Sequence, residues 1–331
     1  MGRRWLLNLG SIVVFPYVAV RQKGGLIITP STAGMRQPLG TNINGPSLIR
    51  VPEWIENRLG RYYLYFAHHH GDRILMAYGD RLEGPWRNYE NGVLDMARTP
   101  AQGHIASPDV HVDEDSKGIR MYFHGPVTDD GRRQATFIAQ SRDGLSFSAR
   151  REPLGPFYFR VFEHDGWFCA LARKGPGGGV LLRSPGPAGP FEEGPSCIRR
   201  MRHAAVLRRG ASLWIIFSRI GDAPESLLAA EMRLNGHWRT WKVSEPEVLL
   251  RPEMPYEGSD QPVAESQPGA ARGRVRQLRD PAVFAEGDRT YLLYAVAGEQ
   301  GIALAELVAR GAGGPSRDAQ QRRRPMPDDL P

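Results

Sequence analysis

The chain has 331 residues, 41% of them hydrophobic, with 38 glycines, 27 prolines and a formal net charge of +7. This composition suits many short strands and tight turns and excludes a helical bundle or a disordered chain. Most of the charge is terminal, +4 in residues 1–23 and +2 in residues 310–331, so the body is nearly neutral and nucleic acid is not an expected partner.

The stretch from Trp5 to Val20 follows Arg3 and Arg4 and resembles a signal h-region, yet it lacks a small-x-small cleavage site and contains Pro16. A membrane-spanning helix is therefore not expected, and no membrane partner is read from it. Two cysteines, Cys169 and Cys197, are too few to staple a fold of this size, which favours a cytoplasmic over a secreted location without fixing the compartment.

Five short apolar runs follow in order: Arg61 to Ala67, Ile119 to Gly125, Gly166 to Ala172, Ser212 to Ser218 and Thr290 to Val296. Each is too short for a helix and rich in aromatic and β-branched side chains. Their centres at Tyr63, Met121, Phe168, Trp214 and Leu292 are 58, 47, 46 and 78 residues apart. One four-stranded antiparallel sheet per repeat makes the chain an all-β, five-bladed β-propeller around a central funnel. The divisions are an N-terminal extension over 1–41, the propeller over 42–308 and a disordered tail over 309–331. A propeller has to join its first and last blades, and Leu26 to Pro30 is the candidate closing strand. The Pro- and Glu-rich insertion from Ser244 to Leu278 reads as too irregular for a strand and as a cover for one mouth of the funnel.

The innermost strand of each blade turns alternate side chains toward the axis, so its polar residues meet there without being close in sequence. These strand starts offer Asn42, Asn44, Asp109, His111, Arg160, Arg202, His203, Arg279 and Asp280. Any one of them alone also reads as turn chemistry, an Asp capping local amides. His68, His69 and His70 form the densest histidine cluster, and His124 ends a strand. These imidazoles fit sugar-hydroxyl contacts or a solvated turn better than a metal site, for which no HExxH or CxxC spacing is present. Trp54 is either a sugar-stacking platform or a lid packed on blade 2. Gly175 to Val180 is a hairpin without a following helix, so neither a nucleotide nor a redox cofactor is expected.

The segments ASPDVHV and MYFHG, MAYGDRLEGPW, and RDPAVFAEGDRTYLLYAV together resemble glycoside hydrolase family 43 and related five-bladed arabinanase, levansucrase and invertase-like propellers, over residues 42 to 307. The resemblance implies a carbohydrate substrate in the funnel and acid/base glycoside hydrolysis, furanosides included. That family's catalytic triad is not matched: Gly45-Pro46 stands at the first place, Phe159-Arg160 near the second and Arg202-His203 near the third. Either the chain is a non-catalytic carbohydrate-binding propeller, or its acid and base stand elsewhere. In the second case Asp109 or Asp280 is the expected base, with Glu225 or Glu257 as proton donor. Asn44, His69, His111, His124, Arg160, His203, Arg219, Asp222 and Arg279 are the expected substrate contacts. The inward arginines also leave open a glycoside phosphorylase that binds phosphate.

Overall fold

A computed structural model of the chain describes residues 14–36, 41–128, 131 and 133–311. Residues 5–13 of the signal-like segment and 312–331 of the expected tail fall outside them. Five antiparallel sheets are arranged radially. Blade 1 contains Asn44–Arg50, Tyr62–Ala67, Arg73–Gly79 and Arg87–Asn88, with the short Leu94–Asp95 as an additional partner of its third strand. Blade 2 contains Ala106–Asp113, Gly118–Pro126, Gln134–Ser141 and Ser148–Ala149, and blade 3 contains Phe157–His164, Trp167–Arg173, Gly178–Ser184 and Glu192–Arg199. Blade 4 contains Met201–Arg209, Ser212–Arg219, Leu227–Arg233 and Glu247–Leu250. Its last strand corrects the reading of residues 244–278 as strandless: Leu228 pairs with Val248 and Ala229 with Glu247.

Blade 5 draws Arg279–Glu286, Arg289–Ala295 and Ile302–Ala309 from the C-terminal part of the chain, and its outer strand, Tyr17–Ile28, from the N-terminal part. That strand pairs antiparallel with Ile302–Ala309 from Tyr17↔Ala309 to Ile28↔Ile302. It is the seam of the ring, joining the two ends of the chain so that blade 5 is complete.

The aromatic strands form because both of their faces are buried. Along Tyr62–Ala67 every residue is buried, and alternate side chains go to opposite neighbours. Tyr63 and Tyr65 pack with blade 2 residues such as Phe123 and Phe137, whereas Tyr62, Leu64 and Phe66 pack with Leu293 and Leu304 of blade 5. Similar apolar clusters fill the other blade interfaces. A period of 2 with both faces apolar gives the continuous hydrophobic runs of the sequence. The first strands of the blades contact one another in turn and form the ring nearest the axis. Among the described residues no helix is long and apolar enough to cross a membrane.

Candidate functional site

Each inner strand slips register by one residue near its start. Three residues of the inner strand span two of its partner: Asn44 to Ser47 against Ala67 to Tyr65 in blade 1, and Ala106 to Asp109 against His124 to Tyr122 in blade 2. The same slip recurs at Phe157 to Arg160, Met201 to Ala204 and Arg279 to Ala282. The residue that follows the last pair before the slip is Gly45, Ser107, Tyr158, Arg202 or Asp280. Four of these five have positive φ: Gly45 at 61°, Ser107 at 50°, Tyr158 at 67° and Asp280 at 45°. A bulged residue in this conformation leaves the ladder and re-aims its side chain. Glycine suits blade 1, since a Cβ at Gly45 would lie 2.9 Å from the Ser107 Cα.

The re-aimed side chains converge. Ser107, Tyr158, Arg202 and Asp280 line one central cavity of about 200 Å³, together with Asn44 and His203. His69, His104, His124, Arg173 and Glu299, from the far ends of neighbouring strands and the loops beyond, complete its polar wall. The blade 4–5 insertion reaches it through Gly269, whose carbonyl accepts from Arg202 Nη1 at 3.2 Å and Arg279 Nη1 at 3.3 Å.

Asp280 is 1% exposed, and neither of its carboxyl oxygens has a hydrogen-bond partner. Its Oδ1 lies 3.1 Å from His203 Nδ1. Burial, reinforced by the charge of Glu299, pushes the Asp280 carboxyl up to about 7. The same burial, with the charges of Arg202 and Arg173 added, holds His203 well below the usual imidazole range. His203 also packs on Tyr158, ring centroids 4.8 Å apart. Around it His104 and His124 are likewise held down by burial, His104 to about 4 with the charges of His69 and His70 added, and His124 with those of His104 and His69.

Glu299 is the second carboxylate of the wall. Arg279 Nη1 donates to it at 2.8 Å and Asn42 Nδ2 at 2.6 Å, and His69 Nδ1 is 3.6 Å away. Burial alone would raise its pKa, but these neighbours hold it below the ordinary glutamate value. Asn42 also accepts from the His69 amide at 2.9 Å and from Asn44 Nδ2 at 2.7 Å, and its bond to Glu299 ties the blade 1 strand start to the loop between the second and third strands of blade 5.

Of the expected site residues, Asn44, His69, His124, His203 and Asp280 line the cavity. The others do not. Asp109 stands two residues beyond the bulge, where its Oδ2 accepts from the Val161 amide at 2.8 Å and lies 2.9 Å from His111 Nε2, clamping blade 2 to blade 3. By register the blade 2 equivalent of Asp280 is Ser107, so the two aspartates expected as alternative bases do not hold equivalent positions. Arg160 donates to the carbonyls of Ala204 and Phe159, at 3.0 and 3.1 Å. Arg219 and Asp222 pair with each other at 3.1 Å.

The two proposed proton donors are also placed elsewhere. Glu225 accepts from Arg202 Nε at 2.8 Å and Ser218 Oγ at 2.7 Å, and lies 3.3 Å from Arg279 Nε. It is the anchor behind two arginines. Glu257 accepts from Arg21 at 2.8 Å and Tyr294 at 2.9 Å, fixing the insertion to the closing strand. Trp54 donates to Glu114 of blade 2 at 2.8 Å, the packed-lid alternative.

His104, Tyr158, Arg173 and Glu299 escaped the sequence reading as site residues. One signal for the bulge existed: Gly45, Ser107 and Asp280 each precede a proline, so three blades repeat a small or polar residue before Pro at the same register. Among the described residues no three His, Cys, Asp or Glu side chains are arranged to hold a metal ion.

No family model matches the chain. Over 301 residues it is 36% identical to the uncharacterized protein R118 of Acanthamoeba polyphaga mimivirus, a match covering 80% of this chain and 83% of that protein. The chain belongs to the family of that mimiviral protein. Among solved structures, it is similar to one from the GH130 family of mannoside phosphorylases, described as containing glycoside hydrolases that target β-1,2 mannosidic linkages in Candida mannan. That likeness has a TM-score of 0.62 and 13% identity over 88% of this chain and 95% of that one. A thermostable family-43 glycoside hydrolase superposes with a TM-score of 0.58 and 13% identity, over 88% and 97% of the two chains. So does a family-43 β-xylosidase/α-arabinofuranosidase from a compost metagenome, solved with xylotriose, at 0.58 and 13% over 88% and 96%. At these identities the likeness shows the five-bladed fold of this chain and nothing of its activity.

Proposed function

We propose that this propeller acts on glycosides, and that it hydrolyses the glycosidic bond of a glycan or small glycoside held in the central cavity. One observation carries the reading: a buried carboxyl, Asp280, faces the cavity beside His203 with neither oxygen hydrogen-bonded to the protein and its pKa raised to about 7. Buried polar groups are otherwise paired, and the unpaired ones in a cleft are where a ligand's hydroxyl or leaving oxygen fits. In this reading Asp280 gives its proton to the departing glycosidic oxygen as the carbon–oxygen bond breaks. Water adds at the anomeric carbon, and its proton returns to the Asp280–His203 pair. Glu299, kept ionised by Arg279 and Asn42, supplies the negative charge that a developing oxocarbenium needs. The likeness to structures that handle xylotriose and mannosides supports carbohydrate as the ligand class.

The test is a panel of aryl furanosides and pyranosides, with and without inorganic phosphate, assayed on the wild type and Asp280→Asn. Turnover that Asp280→Asn abolishes supports the reading. Equal rates for the two proteins remove Asp280 from the chemistry, and no turnover of any glycoside, with glycan binding intact, leaves a binding propeller.

A further inference from the structure

Arg173 ends the second strand of blade 3, paired with Phe157, and lines the central cavity. The other guanidiniums around it are matched. Arg202 lies on Glu225, Arg279 on Glu299 and Glu225, and Arg160 on backbone carbonyls. The Arg173 side chain makes no hydrogen bond and no ion pair among the described residues, and its Nε is buried without a partner. One face of its guanidinium is covered by the Phe157 ring at 5.2 Å, which leaves the in-plane N–H groups for something else. Burial and the like charge of Arg202 bring its pKa down to about 10. Glu225, the acid that acts on it, is already held by Arg202 and Arg279. A half-buried cation with unused donors is costly to keep unless a counter-charge arrives.

A second feature points the same way. A groove of about 450 Å³ between blades 2 and 3 shares Gln134, Phe157 and Arg173 with the cavity and continues past Lys174. Arg173 therefore stands where the two spaces meet, reachable from both.

We propose that Arg173 forms an oxyanion subsite, taking a carboxylate or phosphate group of the ligand bidentately at the junction of the cavity and the groove. Such a fork matches the geometry of both anions, while the neighbouring Lys174 is already paired with Glu193. The subsite deepens the glycoside reading by making the ligand an anionic one, an acidic saccharide or a sugar bound beside phosphate, and in that respect it rests on that reading.

The experiment is calorimetric titration of the full chain with sodium glucuronate, glucose and inorganic phosphate, repeated for Arg173→Ala, Arg173→Gln and Arg173→Lys, each checked by thermal melting. Glucuronate or phosphate is expected to bind at least about tenfold more tightly than glucose, since hydrogen bonds to charged groups are the stronger ones. Loss of the guanidinium in the Ala or Gln variant is expected to weaken that binding at least about tenfold, and lysine to restore it only in part. Binding of glucuronate alone identifies a sugar carboxylate, and binding of phosphate alone identifies free phosphate. Oxyanion binding that is equal in the wild type and the folded variants overturns the subsite, as does no oxyanion binding up to ~10 mM, well above a weak Kd of about 1 mM. Titration needs no turnover, so a chain inert on every glycoside would sink the hydrolase reading alone, while variant-insensitive binding would sink only the subsite.

Discussion

Asp280 Oδ1 and His203 Nδ1 lie 3.1 Å apart in the cavity wall, yet neither atom makes a hydrogen bond. The two come from the bulges of blades 5 and 4, so propeller geometry alone brings them together. Burial favours the neutral form of each, a protonated carboxyl beside a neutral imidazole. A ligand oxygen lying against both from the cavity side would find one donor and one acceptor.

Replacing Asp280 by Asn keeps the shape and removes the transferable proton. Glycoside turnover is expected to fall by about 100-fold or more, the usual yield of a positioned general acid. Stability should move the opposite way. A carboxyl raised to about 7 in the fold favours folding below its unfolded value near 3.8, and that advantage is lost as pH rises through 7. Denaturant melts at several pH values should show Asp280→Asn gaining on the wild type from pH 4 to 7 and levelling off above.

The histidines carry the opposite sign. His104, held to about 4, binds its proton in the unfolded chain near 6.5 but not in the fold until lower pH. Stability contributed by such a group is present above 6.5 and lost as pH falls toward 4, and His124 and His203 shift in the same direction. The melting temperature of the wild type should therefore drop between pH 6.5 and 4, less steeply in His104→Asn. An unchanged slope in that variant would refute the assignment.

Glu225→Ala leaves two buried guanidiniums, Arg202 and Arg279, without their shared carboxylate. Removing one member of a buried ionic cluster costs about 3–5 kcal/mol, so loss of soluble protein or a large fall in the denaturation midpoint is expected. A variant that folds as stably as the wild type but is inactive would instead mark Glu225 as chemical.

Asp109→Asn tests the register argument. It weakens the clamp on the Val161 amide, at about 1–2 kcal/mol in urea denaturation, while turnover stays within about threefold of the wild type. A loss of turnover as deep as that of Asp280→Asn, in a stable protein, would return Asp109 to the site.

The blade count and the identity of the core strands were legible in the residues alone. A strand buried on both faces must be apolar at every position, and Tyr62–Ala67 carries that requirement in its own residues. The sequence also nominated Asn44, His69, His124, His203 and Asp280, because polar side chains at strand ends next to a buried core are conspicuous. The remainder follows from strand pairing and long-range contacts. Whether Asp109 or Ser107 faces the axis depends on a one-residue slip against Tyr122 and His124, and only the partner strand fixes that slip. Arg173, Tyr158 and Glu299 entered the site through pairing and a loop, not through any local pattern. Glu225 and Glu257 left it because arginines distant in sequence, Arg202 and Arg21, hold them. Burial and charge partners are set by residues far apart along the chain, and local composition carries no record of which of them will meet.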